Sequence, residues 1–301
     1  MSGPVNIFDR ETVRRHRARA AAAQDGHDFL FAEVGERLLD RLDDIKRSFP
    51  LALDLGCRNG VLARLLKGRG GTETLVQCDL SLEMVQGTEN FRLVADEEFL
   101  PFAPASFDLV LSNLALHWVN DLPGTLIQIR RALKPDGLFL GAMLGGETLF
   151  ELRQSLAAAE IEVEDGISPR VSPLADIRDM GNLLQRAGFA LPVTDMDTLT
   201  VSYADPLKLM HDLRAMGESN SVGERRKTLT RRATLIGAAR RYRELFGDDD
   251  GRVPATFQII YLAAWAPDPS QQKPLKPGSA RSSLADALGA GDIPSGEKPR
   301  P

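Results

Sequence analysis

The 301-residue chain predicts an α/β protein: a doubly wound, mostly parallel seven-stranded sheet with a helical insert over its ligand edge. Three observations carry that expectation. Short apolar runs alternate with stretches of helical periodicity through the first half of the chain. Each of those stretches is long enough to return the chain to the start of the next parallel strand. Two late apolar runs then stand apart from the first five, with helical sequence between them.

The opening segment reads as helix up to about Ile45, with Leu38, Leu39, Leu42 and Ile45 at helical spacing. Leu51 to Leu55 is the first strand and breaks into Gly56. Val61, Leu62, Leu65 and Leu66 form a helical face, closed by Lys67 and Gly68. Thr74 to Cys78 is the second strand, Leu82 to Glu89 a short helix, Phe91 to Val94 the third strand and Phe107 to Leu111 the fourth. Leu122, Leu126, Ile129 and Leu133 line a helix that starts near Asp121 and stops at Pro135; after the Asp136-Gly137 turn, Leu138 to Leu140 is the fifth strand. Helices are expected over Glu147 to Ile161, Ile177 to Ala187, Pro206 to Met216 and Glu224 to Phe246, and strands over Val193 to Val201 and Phe257 to Trp265. The chain thus divides into a helical segment (1–45), an α/β domain (46–266) with its insert at 145–250, and a tail (267–301). Seven of the eighteen prolines fall in that tail, which has too little apolar surface to offset its ordering entropy and is expected to be flexible. Within it, Ser282 to Leu288 has the makings of a helical turn formed on a partner.

Composition excludes several classes of function. An apolar content of 43% is ample for a buried core, so a wholly disordered chain is excluded. No apolar stretch approaches the roughly 20 residues of a membrane-spanning helix, and the arginines between Arg10 and Arg19 precede no apolar signal-peptide core. Two cysteines argue against a disulfide scaffold and for a reducing compartment. A net charge of −5 argues against general nucleic-acid affinity. The expectation is a soluble, cytoplasmic protein.

Ligands of open α/β sheets bind beyond the carboxyl ends of the strands. There the chain carries Asp54-Leu55-Gly56-Cys57-Arg58-Asn59-Gly60, whose glycines permit a tight turn and close ligand approach. The following helix offers free N–H groups to an anionic group. A dinucleotide fold asks for Gly-x-Gly-x-x-Gly at this turn; the spacing here differs. Asp79 ends the second strand, where a carboxylate accepts the hydroxyls of a ribose, and Asp96 follows the third, where one accepts from an adenine amino group. Three acids at consecutive strand ends outline an adenosine-bearing ligand with an amino-acid end. Helix capping by aspartate is the plainer reading of any one of them.

The strings Leu53-Asp54-Leu55-Gly56-Cys57, Cys78-Asp79-Leu80-Ser81, Leu100-Pro101-Phe102, Ser106-Phe107-Asp108-Leu109-Val110 and Leu133-Lys134-Pro135-Asp136-Gly137 resemble class I S-adenosylmethionine-dependent methyltransferases, over the first half of the chain. The resemblance implies that Gly56 lies under the methionine part, Asp79 holds the ribose, Asp96 holds the adenine and Met84 packs beside it. Its candidate cofactor residues are Asp54, Gly56, Gly60, Asp79, Leu80, Met84 and Asp96, and its cofactor is S-adenosylmethionine. Asn6 to Arg10, Ala115 to Pro123, Gly141 to Leu149, Met216 to Asn220 and Val253 to Ile259 narrow the resemblance to the assembly factor 5 family of respiratory complex I, over nearly the whole chain. Malonyl-carrier-protein methyltransferases of biotin synthesis are a more distant resemblance. The narrower family implies hydroxylation of an arginine on a quinone-module subunit of complex I. With five residues ahead of Asn6, it implies a bacterial, cytoplasmic copy that reaches the inner membrane through its partner.

One departure stands in the glycine-rich turn, where methyltransferases usually carry glycine and this chain carries Arg58. A positive φ there costs a non-glycine residue about 1 kcal/mol, and the side chain is expected to crowd the methionine end, weakening the cofactor, or to clamp its carboxylate. Methyl transfer asks little of the protein beyond alignment and desolvation, whereas hydroxylation of an unactivated carbon needs an oxidant held by a cofactor. Among His16, His27, His117 and His211 no pair has the spacing of a helical metal site, so no metal is expected; a two-histidine, one-carboxylate set requires distant segments. His117 and Trp118 follow the fourth strand and make His117 a candidate base or orienting group, a packed histidine being the plainer reading. Cys57 and Cys78 read as buried fillers. Arg225 to Arg243 is rich in cations, a solvated face or a dock for an acidic partner. Gly217 to Asn220 are candidates for contact with a protein substrate, with Glu218 placed to pair an arginine guanidinium. A conventional O-methyltransferase acting on a small molecule or carrier protein, and a non-catalytic assembly chaperone that binds the nucleoside, are the other readings.

Overall fold

The computed structural model describes residues 6–23, 26–89, 91–272, 279 and 289. The chain forms two units, 1–267 and 268–301, and the elements below all belong to the first. The segment Ser282 to Leu288 lies outside the described residues.

Among the described residues, seven strands form a single sheet: β1 (Leu51–Leu55), β2 (Thr74–Asp79), β3 (Phe91–Val94), β4 (Phe107–Asn113), β5 (Leu133–Leu144), β6 (Ala190–Tyr203) and β7 (Val253–Trp265), in the order β3-β2-β1-β4-β5-β7-β6. The pairings among β1 to β5 are parallel, and β7 runs antiparallel to both β5 and β6. Chain order reverses between β1 and β4, so the strand ends flanking that point open the crevice where such sheets take ligands.

Side-chain alternation along the central strands builds a core on each face. Leu109, Leu111, Leu138 and Leu140 join one cluster, while Val110, Phe139, Leu53 and Leu55 join the other. Helices α1 (Arg10–Ala21), α2 (Phe29–Asp43), α3 (Val61–Leu66) and α4 (Leu82–Gln86) precede β3. Helix α2 contributes Val34, Leu38, Leu39 and Leu42, all fully buried, to the first core. Each such aliphatic side chain contributes roughly 1.5–3 kcal/mol by burial. The second core is covered by α5 (Leu122–Ala132) and α7 (Ile177–Arg186) through Leu126, Ile129, Met180 and Leu184. The remaining helices are α6 (Phe150–Glu164), α8 (Pro206–Ala215) and α9 (Arg232–Phe246). Asp9, Asp121 and Asp205 accept backbone N–H groups at the starts of α1, α5 and α8, with proline in the first turn of the last two.

The expected elements differ from the observed ones in a few places. The opening helical segment is two helices. The region expected as a helix from Glu224 becomes helical only at Arg232, so Arg225, Arg226 and Lys227 sit on a loop. Asp136-Gly137 reads as a turn after a helix reaching Pro135, but α5 ends at Ala132 and the pair lies inside β5: the register shifts between Phe107 and Leu109 of β4, Asp136 takes φ 60°, and pairing continues on either side. β6 extends to 14 residues inside the region expected to be a helical insert, and it is the edge strand.

Candidate functional site

The turn after β1 and the loop after β4 approach so closely that a Cβ at Gly56 would lie 2.3 Å from the Ala115 Cβ, and Gly56 has φ 73°. Only glycine fits that contact. Arg58 follows at φ 50°, the left-handed conformation expected for it, and Gly60 starts α3 at φ 76°. The α3 helix is six residues long, and the Arg58 N–H ahead of it donates to Asp79 Oδ2 at 3.1 Å.

The expected carboxylates gather at this rim, and each is engaged by the chain itself. Asp79 is fully buried; Oδ1 accepts the Ser81 N–H at 2.8 Å, and Oδ2 faces Arg17 Nη1 at 3.3 Å. Asp96 accepts the Glu98 N–H at 2.9 Å and pairs with Arg10 at 2.5 Å. Both thus make the local turn contacts that aspartate favours. Asp54 lies below them, its Oδ2 accepting from Gln77 at 3.3 Å; burial pushes its carboxyl up to about 7. Met84 is buried, and Leu80 packs against the cluster of Phe8, Val13, Trp118 and Val222.

Three residues of this rim escape the sequence reading. Glu97, wholly buried, takes Arg17 on Oε1 at 2.5 Å and Arg10 on Oε2. Although burial pushes its carboxyl up, the two guanidinium groups prevail and hold it well below the usual carboxylate range. Arg10 and Arg17 are seven residues apart, two turns along α1, so both face the strand ends. That i, i+7 spacing was a usable signal; Glu97, in the run Asp96-Glu97-Glu98, offered none.

Arg58 crosses the rim in the other direction. Its guanidinium lies 4.2 Å from the centre of the Phe31 ring, donates to the carbonyls of Met216 at 3.1 Å and Leu114 at 3.0 Å, and pairs with Glu218. The second oxygen of Glu218 takes His117 Nε2 at 3.0 Å and the Trp118 indole N–H at 3.0 Å. Burial raises the Glu218 carboxyl, but Arg58 and His117 outweigh it and hold it at about 2. Burial keeps His117 below the ordinary histidine range despite Glu218, so the imidazole is neutral at pH 7. The structure therefore brings His117 and Glu218 into one buried cluster with Arg58, whose backbone N–H ties it to the Asp79–Glu97–Arg17 cluster. Cys57 and Cys78 are free and buried, and burial pushes both thiols up, which leaves them inert fillers.

On the far side of Glu218 lies a cavity of about 600 Å³. Leu149, Leu152, Leu174 and Phe257 form apolar wall, His117, Trp118 and Glu218 form polar wall, and Arg19, Arg214 and Lys227 stand along its lining. Among the described residues, none of those three cations pairs with a carboxylate, and Arg214 sits close enough to Arg19 to lower its proton affinity further below the level set by burial. The more distal cations form exposed pairs, as a solvated face would: Arg240 and Arg241 with Glu162 and Glu244, and Arg243 with Asp205.

Comparison with known proteins agrees with this architecture. A family model described as a methyltransferase domain matches residues 53–141. The chain is 47% identical over 298 residues to "Arginine-hydroxylase NDUFAF5, mitochondrial" of Danio rerio, covering 97% of this chain and 92% of that protein. This chain belongs to the arginine-hydroxylase NDUFAF5 family. The Homo sapiens member is 46% identical, over 94% of this chain and 83% of its own length. A "Malonyl-[acyl-carrier protein] O-methyltransferase" of Methylovorus sp. (strain MP688) is 36% identical, over 89% of this chain and 92% of its own. Among solved structures, the YcgJ protein of Bacillus shares the fold with a TM-score of 0.54 at 15% identity, covering 77% of this chain and 99% of that one.

The methyltransferase-domain match bears out S-adenosylmethionine as the cofactor class of this NDUFAF5-family chain. The rim carries group types that the nucleoside asks for: a glycine bend, Asp79 and Asp96 as acceptors at and just past strand ends, and the buried Met84 in α4. Asp54 Oδ1, Arg17 Nε and Arg17 Nη2 are buried and lack hydrogen-bond partners. Two cavities of about 10 Å³ each flank Arg58, one lined by Met84 and Asn59, the other by Asp54 and Gly56. The groups fit in kind, and the chain's own Arg17, Glu97 and Arg58 take the room between them. No helix among the described residues is long and apolar enough to cross a membrane.

Proposed function

We propose that the chain is a methyltransferase-fold enzyme that modifies an arginine side chain of a protein substrate during assembly of respiratory complex I, by hydroxylation. One observation carries this reading: in a chain 47% identical to proteins named arginine-hydroxylases, the buried Glu218 carboxylate bordering the cavity already holds a guanidinium, that of Arg58. An aromatic face, two carbonyls and a carboxylate surround that guanidinium, which is the set an incoming arginine requires.

In this reading the target arginine enters through the cavity and competes with Arg58 for Glu218. His117, held neutral, and the Trp118 N–H fix the Glu218 carboxylate in place. The apolar walls exclude water around the aliphatic part of the side chain. Arg19, Arg214 and Lys227 favour an acidic surface around the target, on a quinone-module subunit of complex I. Asp79, Asp96 and Met84 are the residues that would hold S-adenosylmethionine, with Arg17 and Arg10 displaced from the two aspartates. When bound, that group supplies a sulfonium-activated methyl; insertion of oxygen into a C–H bond calls for an oxidant in addition.

Intact-mass measurement of complex I subunits from a deletion strain tests the reading. The expected result is loss of one oxygen from a single subunit, restored by the wild-type gene and not by Glu218→Gln. Loss of a methyl group instead supports a methyltransferase like the carrier-protein relatives, and unchanged masses with failed assembly support a chaperone. Either result overturns hydroxylation.

A further inference from the structure

We infer that the chain has a divalent transition-metal site made by His27, His211 and Asp212. His27 lies between α1 and α2, and His211 and Asp212 are consecutive in α8, so 184 positions separate the two parts in sequence. Folding brings one ligand atom of each to within 4.8 Å of the others. His27 Nδ1 stands 3.0 Å from Asp212 Oδ1 without a hydrogen-bond alignment, and the two imidazole rings are 5.6 Å apart at their centres and tilted by 53°. The three ligand atoms are thus close enough together to share one ion.

The chemistry of the set selects its ion. Two imidazoles and one carboxylate suit iron, cobalt, nickel or zinc, whereas calcium and magnesium want oxygen ligands. Three protein ligands leave positions open, and the side chains of His27 and Asp212 are 25% and 24% exposed, so water or a small ligand completes the shell. Tyr203, buried at the end of β6, interacts with Asp212 from within the fold and is placed to support that ligand. His27 also borders the small cavity shared with Arg58, Met84 and Met216, so the metal lies next to the rim of the candidate site. The inference stands on the ligand set and holds whether or not arginine is the substrate.

Titration of the untagged full chain with Co²⁺, and with Fe²⁺ under anaerobic conditions, tests it. The expected result is saturable binding of a single equivalent, with cobalt absorption bands of histidine coordination. His211→Ala, at an exposed position, and His27→Ala should each weaken binding by at least the roughly 10–100-fold that follows loss of a supporting group at a metal site. His117→Ala should leave it unchanged. Absence of saturable binding, or affinity equal to wild type in both His27→Ala and His211→Ala, overturns the site.

Discussion

The two sides of Glu218 are built on opposite principles. Toward the strand ends, charge fills the space: Arg17 lies against Asp79 and Glu97, Arg10 against Asp96, and Arg58 against Glu218, leaving voids of about 10 Å³. Away from them, leucines and Phe257 wall an open cavity of about 600 Å³, along whose lining Arg19, Arg214 and Lys227 pair with no carboxylate among the described residues. A buried ion pair holds its geometry only while both members remain, because a lone charge is costly to bury. An apolar wall keeps its shape without any such partner. The strand-end side is therefore the responsive half, and the cavity is the preformed half.

Removing the shared carboxylate should have the largest effect. Glu218→Ala leaves Arg58 buried without its partner and should cost about 3–5 kcal/mol in urea denaturation. Glu218→Gln, which keeps the shape and an acceptor, should cost less. A loss as small as that of an exposed pair would show that charge does not hold the closed side together.

Opening that side is next in size. Arg58→Gly and Arg17→Met should each tighten S-adenosylmethionine binding by about tenfold, or about 1.4 kcal/mol, read by calorimetry. Unchanged affinity in both variants would erase the distinction between a responsive and a preformed half.

The dependence on pH comes last, because it is spread over several groups. Glu218, at about 2 against an ordinary 4.5, and Glu97, also depressed, stabilise the fold fully above pH 4.5. That contribution is lost as pH falls toward 2, since the unfolded chain takes up protons first. Asp54, raised to about 7, acts oppositely: it favours the fold below pH 3.8 and loses that contribution as pH rises to 7. The urea midpoint should therefore fall steeply between pH 4.5 and 2, and Glu97→Gln should flatten the slope.

Much of this was legible in the sequence because it depends on local periodicity. The runs at Leu51 to Leu55 and Phe91 to Val94 fall on β1 and β3 at their observed limits, and the strand-end aspartates lie where the order of strands placed them. What was not legible depends on long-range pairing. Gly137 and Asp136 carry turn chemistry, yet neighbouring strands hold them inside β5. Arg17 reads as one of several exposed helix cations until its partners, 62 and 80 residues away, are known. The sequence places Glu218 to pair the guanidinium of a protein substrate; that Arg58 of the same chain holds it follows only from the fold.

The outermost strand has a consequence for the protein in concentrated solution. A 14-residue edge with unpaired backbone groups invites another chain to add to it. Pro192 removes one donor near a break in register, and Asp195 and Asp197 place negative charge along the same edge, each held by an arginine of α2. The proline and the paired carboxylates weigh against such addition, while Leu191, Val193 and Met196, exposed along the same strand, favour it.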